Sequence, residues 1–222
     1  MAGILDAARN GSIETRHGSA LERIAAFRDV DGRELPKQTA VTELLNIVRP
    51  IMAVPYFAEL AAVALQRYPQ HRHRVASDEA WLHGFVQELR RFYPFTPLLG
   101  AESCRELNWN GFRIPAGTLV VLDVYGIHRD ERIWTHASRF DPQRFLGQTD
   151  DPFTLLQQGG GDHAAGHRCP GEWFTLEALK IIVRGLAAMS WSAPTTEIAF
   201  DLRRVPSRLR APVTINFAER SS

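Results

Sequence analysis

The stretch of residues 157–180 constrains this chain most, because it joins a glycine-rich loop to an amphipathic helix through a single cysteine. The loop reads Gln157-Gln158-Gly159-Gly160-Gly161-Asp162-His163-Ala164-Ala165-Gly166-His167-Arg168-Cys169-Pro170-Gly171-Glu172. Its glycines let the backbone approach a flat or bulky ligand closely. Pro170 suits the first turn of the predicted helix, where its missing N–H is not needed. The apolar face of that helix is predicted at Trp173, Leu176, Leu179, Val183 and Leu186.

Cys169 is expected at a helix N-terminus, which favours the thiolate form that binds metals or acts as a nucleophile. His167 and Arg168 beside it supply donors for an anionic group. Two other interpretations stay open. A lone cysteine is often a small buried hydrophobic residue, and His163, His167 and Cys169 are all zinc-binding residue types, although no fourth ligand or Cys-x-x-Cys pair lies nearby.

A long helix is predicted from about residue 38 to residue 67, and its apolar residues surround it, so we expect it to cross the protein interior. Arg49 and Pro50 lie in its middle. Proline blocks the hydrogen bond to the residue four positions earlier, so we expect a bend and a free carbonyl at Asn46. A buried arginine needs a partner. That partner is either another buried carboxylate or the carboxylate of a substrate, which arginine holds by two parallel hydrogen bonds.

A helix predicted at about residues 78–93 carries a third signal. Glu88 lies on its aromatic face, and Arg91 follows three residues on, within reach of that carboxylate. An exposed pair of this kind has little energetic value, but its position within the aromatic stripe favours burial. The stripe consists of Trp81, Phe85 and Phe92.

The part of the chain after Pro94 is predicted to be mainly β structure. Asn110-Gly111 is a hairpin signal, and an apolar strand is expected at residues 119–122. Near the C-terminus, two alternating stretches at residues 198–202 and 213–217 predict the two strands of one hairpin. The arginines of its loop are expected to be surface residues: Arg203, Arg204, Arg208 and Arg210.

Composition narrows the classes of function. The 222 residues are 45% hydrophobic and 23% charged, as in soluble globular proteins, and a net charge of +1 favours neither a nucleic acid nor an anionic membrane as partner. The two cysteines fit a reducing compartment, and Cys104 is interpreted as a bystander. The pattern of a secretory signal is not apparent in residues 1–14, so none is expected there. Charges and prolines interrupt residues 44–65, so we do not expect this segment to span a membrane. We therefore expect a cytoplasmic protein with no nucleic acid or membrane partner.

Gly166-His167-Arg168-Cys169-Pro170-Gly171 resembles the heme-binding loop of the cytochrome P450 superfamily, in which a cysteine thiolate is the proximal iron ligand. Two positions depart from the usual pattern: Asp162 replaces an aromatic residue and Ala165 replaces a glycine. The triple-glycine loop and Arg49-Pro50 are similar instead to the bacterial fatty-acid peroxygenase branch. Glu88-Leu89-Arg90-Arg91 resembles the Glu-x-x-Arg signature of the superfamily. A second signature of the superfamily combines spaced aromatic residues, a proline and an Arg-Phe pair. The residues here that resemble it are Trp134, Phe140, Asp141-Pro142, Arg144 and Phe145.

The resemblance implies a fold that is mainly α with small β-sheets (α+β), corresponding to the C-terminal portion of the cytochrome P450 fold. It covers almost the whole chain but only about the C-terminal half of the family fold. Residues 1–36 would form short helices before the long central helix. Residues 37–93 would contain that helix and the Glu-x-x-Arg helix. Residues 94–222 would supply the β-sheet, the heme-binding loop, the cysteine helix and the C-terminal hairpin.

The cofactor implied by this resemblance is heme b (iron protoporphyrin IX), with Cys169 as the iron ligand. A thiolate ligand favours cleavage of an O–O bond. His167 stands where a residue that contacts a propionate usually lies, and Arg168, Gly160 and Gly161 are the other expected cofactor-binding residues. The resemblance also implies a buried structural network, in which each charge is satisfied only when all three residues are present: Glu88, Arg91 and Arg144.

The implied activity is that of a heme-thiolate oxidoreductase of lipid metabolism, which hydroxylates fatty acids at the α or β carbon with hydrogen peroxide and needs no redox partner protein. Arg49, at the kink made by Pro50, would hold the fatty-acid carboxylate, and this carboxylate would serve as acid and base for the peroxide. Phe95 and Leu98 are either contacts for the alkyl chain or ordinary core residues. Two alternatives stay open: a monooxygenase that uses NAD(P)H and redox partners, and a truncated chain without catalytic competence.

Overall fold

The computed structural model describes residues 1–147, 151–193 and 198–217. The chain forms two compact units, Met1–Pro55 and Tyr56–Ser222, and the boundary falls inside one long helix. The first unit contains α1 (Ala2–Arg9), α2 (Ala20–Ala26) and the beginning of α3 (Lys37–Arg67). The Ser19 side chain caps α2 by accepting the Glu22 N–H. The small core of this unit consists of Leu5, Ala25, Ala40 and Leu44.

Helix α3 has the predicted extent, but only part of it is buried. Its C-terminal part, from Phe57 to Leu65, joins the core of the second unit. By contrast, Ile47, Ile51 and Met52 are exposed, so the expectation that the whole helix crosses the interior is wrong for this part of the first unit. Among the described residues, α3 is the one helix long and apolar enough to cross a membrane by length and composition, a test that core helices of soluble proteins also pass.

The core of the second unit is built around α5 (Glu79–Phe92), whose residues are almost all buried from Trp81 onward. Asp78 caps this helix by accepting the Trp81 N–H at 3.0 Å. Helices α4 (Arg72–Ser77) and α7 (Glu172–Ala188) pack on α5, as does the short 3₁₀ turn Pro142–Phe145. This last contact requires Gly84, because a Cβ atom there would lie 2.5 Å from the Pro142 carbonyl oxygen.

Two small antiparallel sheets follow α5. Strand β1 (Leu99–Glu102) pairs with β4 (Leu119–Leu122), and β2 (Leu107–Trp109) pairs with β3 (Phe112–Ile114). The predicted Asn-Gly hairpin is confirmed: Asn110 and Gly111 have φ values of 50° and 83° and connect β2 to β3. Such a turn matches the twist of the strands that it joins. The short helix α6 (Val124–Ile127) comes next.

The C-terminal strands do not form the predicted single hairpin. Strand β5 (Trp191–Ser192) pairs with β8 (Asn216–Phe217), while β6 (Phe200–Asp201) pairs with β7 (Arg208–Leu209). Alternating apolar residues indicate strands, but they do not identify the partner of each strand. With helices and small sheets together, the fold class agrees with the predicted α+β architecture.

Candidate active site

Cys169 lies in a turn that leads into α7, and its backbone is fixed on both sides. Its N–H donates to the Gln158 carbonyl at 2.8 Å, and its carbonyl accepts the Glu172 N–H at 3.2 Å. The thiol is free and half-buried. Helix α7 begins at Glu172 with Gly171 as its N-cap, so Pro170 precedes the helix and does not occupy its first turn as predicted. The thiol therefore lies just outside the helix start.

The glycines of the loop are needed for contacts within the protein. Gly159 has φ 91°, and a Cβ atom there would lie 2.9 Å from the His167 carbonyl oxygen. A Cβ atom at Gly160 would lie 2.6 Å from a methyl group of Leu156. The two arms of the loop can thus approach each other only without side chains at these positions. Gly161, with φ 81°, lies beside the Phe153 ring.

Glu172 is the electrostatic centre of the loop. Its carboxylate accepts two hydrogen bonds from Arg168, at 2.6 and 3.1 Å, and its Oε2 lies 3.0 Å from His163 Nε2. Buried Arg90 on α5 forms an ion pair with the same carboxylate. Burial by itself would raise the pKa of Glu172, but Arg168 and Arg90 lower it to about 2. Arg168 is therefore engaged by the protein, while His167 is exposed.

One face of α7 differs from the prediction. Leu179 and Val183 are fully buried as expected. Trp173 is 60% exposed, and it stacks on the His163 ring with 4.1 Å between ring centroids. Because His163 also contacts Glu172, its ring is held by two neighbours.

The pair Glu88 and Arg91 is completely buried, as its place in the aromatic stripe predicted. Arg91 binds the carboxylate through Nε and Nη2, both at 2.7 Å. Its Nη1 donates to the carbonyls of His128 and Ala137, at 2.5 and 3.0 Å. Five donors in a planar fork suit this set of acceptors. Burial raises the pKa of Glu88, and Arg91 opposes that rise.

Arg144 reaches the same carboxylate from the 3₁₀ turn. Its Nε lies 3.5 Å from Glu88 Oε1, and its Nη2 donates to the His136 carbonyl at 2.7 Å. The Asp141 N–H also donates to Glu88, at 2.7 Å. The structure thus brings Glu88, Arg91 and Arg144 together, and they connect α5 to the segment that precedes the cysteine loop.

His128 is a buried residue that the sequence interpretation missed. Its Nε2 accepts the Leu156 N–H at 2.9 Å, so this nitrogen carries no proton. Burial, together with the positive charges of Arg91 and Arg90, lowers the pKa of His128 to about 3. The neutral ring ties α6 to the beginning of the cysteine loop. The Glu172–Arg90 pair was missed too, because the two residues are 82 positions apart.

Arg49 is exposed, so the expectation of a buried arginine was wrong. Its Nη2 donates to the Asn46 side-chain oxygen at 2.6 Å, and water can solvate the rest of the guanidinium group. Because Arg49 is exposed to solvent, its charge does not need a buried carboxylate as a partner. Arg49 and Pro50 belong to the first unit, whereas the other predicted site residues belong to the second.

The two predicted contacts for an alkyl chain differ in burial. Phe95 is half-buried and stacks on Phe57, with 4.0 Å between ring centroids. Leu98 is exposed just before strand β1. Phe95 is therefore at least partly a core residue, whereas Leu98 presents an open apolar surface.

A free cysteine in a glycine loop, supported by a buried Glu–Arg network, is the arrangement expected of a heme-thiolate protein. The family model of cytochrome P450 matches residues 73–198, which is more than half of the chain. The chain belongs to the cytochrome P450 family.

Solved structures and curated proteins show the same relationship. A variant of cytochrome P450 OleT in complex with arachidonic acid is 30% identical, with a TM-score of 0.85 over 100% of this chain and 53% of that one. Cytochrome P450SP alpha in complex with (R)-ibuprophen is 34% identical, with a TM-score of 0.86 over 97% of this chain and 54% of that one. Taurochenodeoxycholic 6 alpha-hydroxylase of Sus scrofa is 28% identical over 130 residues, 58% of this chain and 23% of that protein. The chain spans about half the length of these solved structures and less of this curated relative.

The residues present fit the heme that the family implies. Cys169 offers a soft sulfur ligand of the kind that binds iron. Within the loop, the His163 ring contacts Glu172, whereas the Cys169 thiol is free to act as a ligand. Gly171 lies next to the sulfur, and a Cβ atom there would make an ordinary van der Waals contact with it at 3.8 Å.

Proposed function

We propose that this chain carries the heme-thiolate site of an oxidoreductase that hydroxylates fatty acids at the α or β carbon with hydrogen peroxide. The observation that carries the proposal is the free Cys169 thiol, held at its backbone N–H and carbonyl in the glycine loop. Support for the substrate comes from similar structures, which were solved with arachidonic acid and with myristic acid. Both molecules are long-chain carboxylic acids.

Cys169 would hold the iron of heme b, and Gly160, Gly161, His167 and Arg168 belong to the loop that surrounds this ligand. A heme with a thiolate ligand supplies cleavage of the O–O bond of the peroxide. The protein contributes a fixed thiol position, because two backbone hydrogen bonds orient Cys169 before any ligand arrives. Such preorganisation limits the loss of entropy on binding.

Arg49 would bind the carboxylate of the fatty acid. Among the described residues, its guanidinium group bonds to one side chain, through Nη2 to Asn46, so several N–H donors remain for a bidentate contact. A substrate carboxylate held in this way can take a proton from the peroxide at one oxygen and return it later. Pro50 has no N–H and so cannot close the helix bond to Asn46. Phe95 and Leu98 would line the path of the alkyl chain.

The heme site is tested by the absorption spectrum of the purified chain after heme loading, reduction and treatment with carbon monoxide. We expect the Soret band of a thiolate ligand in the parent chain and its loss in Cys169→Ser. Cys104→Ser is the matched control, because Cys104 is an exposed cysteine outside the loop, and its spectrum should not change. Equal spectra for the two variants would refute the ligand assignment.

The substrate and oxidant are tested by product analysis with a fatty acid. We expect turnover with hydrogen peroxide alone, loss of turnover in Arg49→Ala, and retained turnover in Arg16→Ala, where another exposed arginine is removed. Arg49→Lys should retain less activity than the parent, because an ammonium group cannot form two parallel hydrogen bonds. Turnover that needs NAD(P)H and a reductase would favour an ordinary monooxygenase instead.

A further inference from the structure

Glu172 joins three segments of the chain beside Cys169. In the loop, its Oε2 lies 3.0 Å from His163 Nε2, and its carboxylate accepts hydrogen bonds from Arg168 at 2.6 and 3.1 Å. From α5, the guanidinium group of Arg90 forms an ion pair with the same carboxylate. All of these residues belong to the second unit, and Glu172 is almost completely buried. The carboxylate is therefore a junction inside the protein, and its contacts do not depend on the outer surface.

Two bonds of Glu172 close the turn that carries the thiol. Its N–H donates to the Cys169 carbonyl at 3.2 Å, and its side chain accepts the Nε and Nη2 donors of Arg168, the residue before the cysteine. Pro170 and Gly171 lie between the cysteine and Glu172 and have no polar side chain. The Arg168–Glu172 pair therefore spans Cys169 and restrains the chain on both sides of the thiol.

Burial gives this junction a fixed geometry. The side chains of Glu172 and Arg168 are 4% and 10% exposed, so water offers them few alternative hydrogen bonds. Arg168 directs two donors toward the two carboxylate oxygens, an arrangement that lysine cannot reproduce. Arg90 is completely buried and attaches the junction to α5. The turn around Cys169 is thus fastened to α5 through Glu172.

We propose that Glu172 is a positioning residue for the iron ligand, which orients the Cys169 thiolate through Arg168 and does not itself contact the heme. The inference rests on the proposed function, since it concerns the same heme-thiolate site. It also assigns Arg168 to the ligand loop and not to the cofactor, because Glu172 engages two of its donors. Contacts behind a metal ligand set its orientation and tune its affinity for the metal.

Loss of the carboxylate would loosen the turn in a specific way. Without it, the cations of Arg168 and Arg90 would repel each other in a region of low dielectric, and the segment that holds Cys169 would move away from α5. The backbone bond to the Cys169 carbonyl would remain, but Gly166 and Gly171 allow the loop other conformations. Fewer molecules would therefore present the thiolate in the orientation that iron requires.

The first test is heme titration of the purified chain, followed by the spectrum of the reduced complex with carbon monoxide. We expect Glu172→Gln to weaken heme binding about tenfold or more and to decrease the share of bound heme that shows the thiolate-type Soret band. Arg168→Gln should act in the same direction but less strongly, because Arg90 keeps its carboxylate. Arg168→Lys should lie between Arg168→Gln and the parent, since lysine retains the charge but not the bidentate geometry.

Glu177→Gln is the matched control on the same helix. Glu177 also pairs with a cation, Lys180, but its side chain is 67% exposed and the pair lies outside the loop. This variant should change heme affinity by less than about twofold. A role in stability alone would lower the free energy of unfolding of Glu172→Gln but would leave the share of thiolate-bound heme unchanged.

The second test needs no heme and so separates this inference from the proposed function. In a Cys104→Ser background, Cys169 is the one remaining cysteine, and its rate of alkylation by iodoacetamide reports how firmly the thiol is held. A loosened turn predicts faster alkylation in both Glu172→Gln and Arg168→Gln. Charge alone predicts opposite changes, because removal of the carboxylate favours the thiolate and removal of the cation disfavours it.

Opposite changes in the two alkylation rates would overturn the positioning role of Glu172. So would a thiolate band equal to that of the parent in both folded variants, or an equal loss in Glu177→Gln. A parent chain that binds heme without the thiolate band would instead refute the proposed function, and the alkylation rates would still decide the role of Glu172. Circular dichroism checks the folding of each variant, and Arg168→Gln decides the outcome if Glu172→Gln does not fold.

Discussion

The substitution Glu88→Gln tests whether the Glu–Arg network stabilises the second unit. Glu88 is fully buried and accepts two hydrogen bonds from Arg91 and one from the Asp141 N–H. Glutamine has nearly the same shape, but it leaves the Arg91 charge buried without a carboxylate. Removal of one partner from a buried ion pair costs about 3–5 kcal/mol. We expect the lower end, about 3 kcal/mol, because the amide oxygen can still accept a hydrogen bond from the Asp141 N–H.

Glu79→Gln is a matched control on the same helix. Glu79 also pairs with an arginine, Arg184, but both side chains are about half exposed. The same chemical change should therefore cost less than about 1 kcal/mol. The two free energies of unfolding are measured by urea titration followed by circular dichroism. A difference of less than about 1 kcal/mol between the variants would refute the view that burial makes the Glu88 pair important.

Two more predictions concern the same unit. Because the pKa of His128 is lowered from 6.5 to about 3, its neutral form stabilises the fold fully above pH 6.5, and this contribution is lost as the pH falls. In the window between 6.5 and the ordinary Glu value of 4.5, His128→Gln should reduce the pH slope of the free energy of unfolding by about 1.4 kcal/mol per pH unit; an unchanged slope would contradict a neutral His128. Gly84→Ala should destabilise the unit by about 1–3 kcal/mol in urea titration, through the clash with the Pro142 carbonyl. Gly185→Ala, where a Cβ atom meets nothing within 4 Å, should instead stabilise α7 by about 0.5–1 kcal/mol; a similar loss in both alanine variants would count against the clash.

Local features of the fold were predictable because they depend on short sequence patterns. The Asn110-Gly111 turn requires two residues that tolerate positive φ, and the sequence offers them between two short β stretches. The extent of α5 follows from Asp78 as a cap and from its regular aromatic stripe. Burial of Glu88 followed from the same periodicity, since a residue within that stripe must face the core.

The pairing of the strands was less predictable, because it depends on residues that are far apart in the chain. Phe217 pairs with Trp191 and not with the stretch at residues 198–202, and alternation cannot distinguish these arrangements. The exposure of Arg49 was missed for a related reason. The composition of α3 is apolar on most sides, and composition alone cannot tell which turns of a helix receive a covering element.

The role of Arg90 illustrates what a signature motif omits. The side chains of adjacent residues on a helix point about 100° apart. Arg90 and Arg91 therefore contact different neighbours. Arg91 binds Glu88 and the carbonyls around α6, whereas Arg90 crosses to Glu172 at the start of α7. A single buried turn of α5 therefore holds both ends of the cysteine segment: one arginine fixes the chain that leads into the loop, and the other fixes the helix that follows Cys169. Two backbone hydrogen bonds inside the loop fix Cys169 locally. The two buried arginines of α5 add a second restraint, because they hold the segments on either side of the loop.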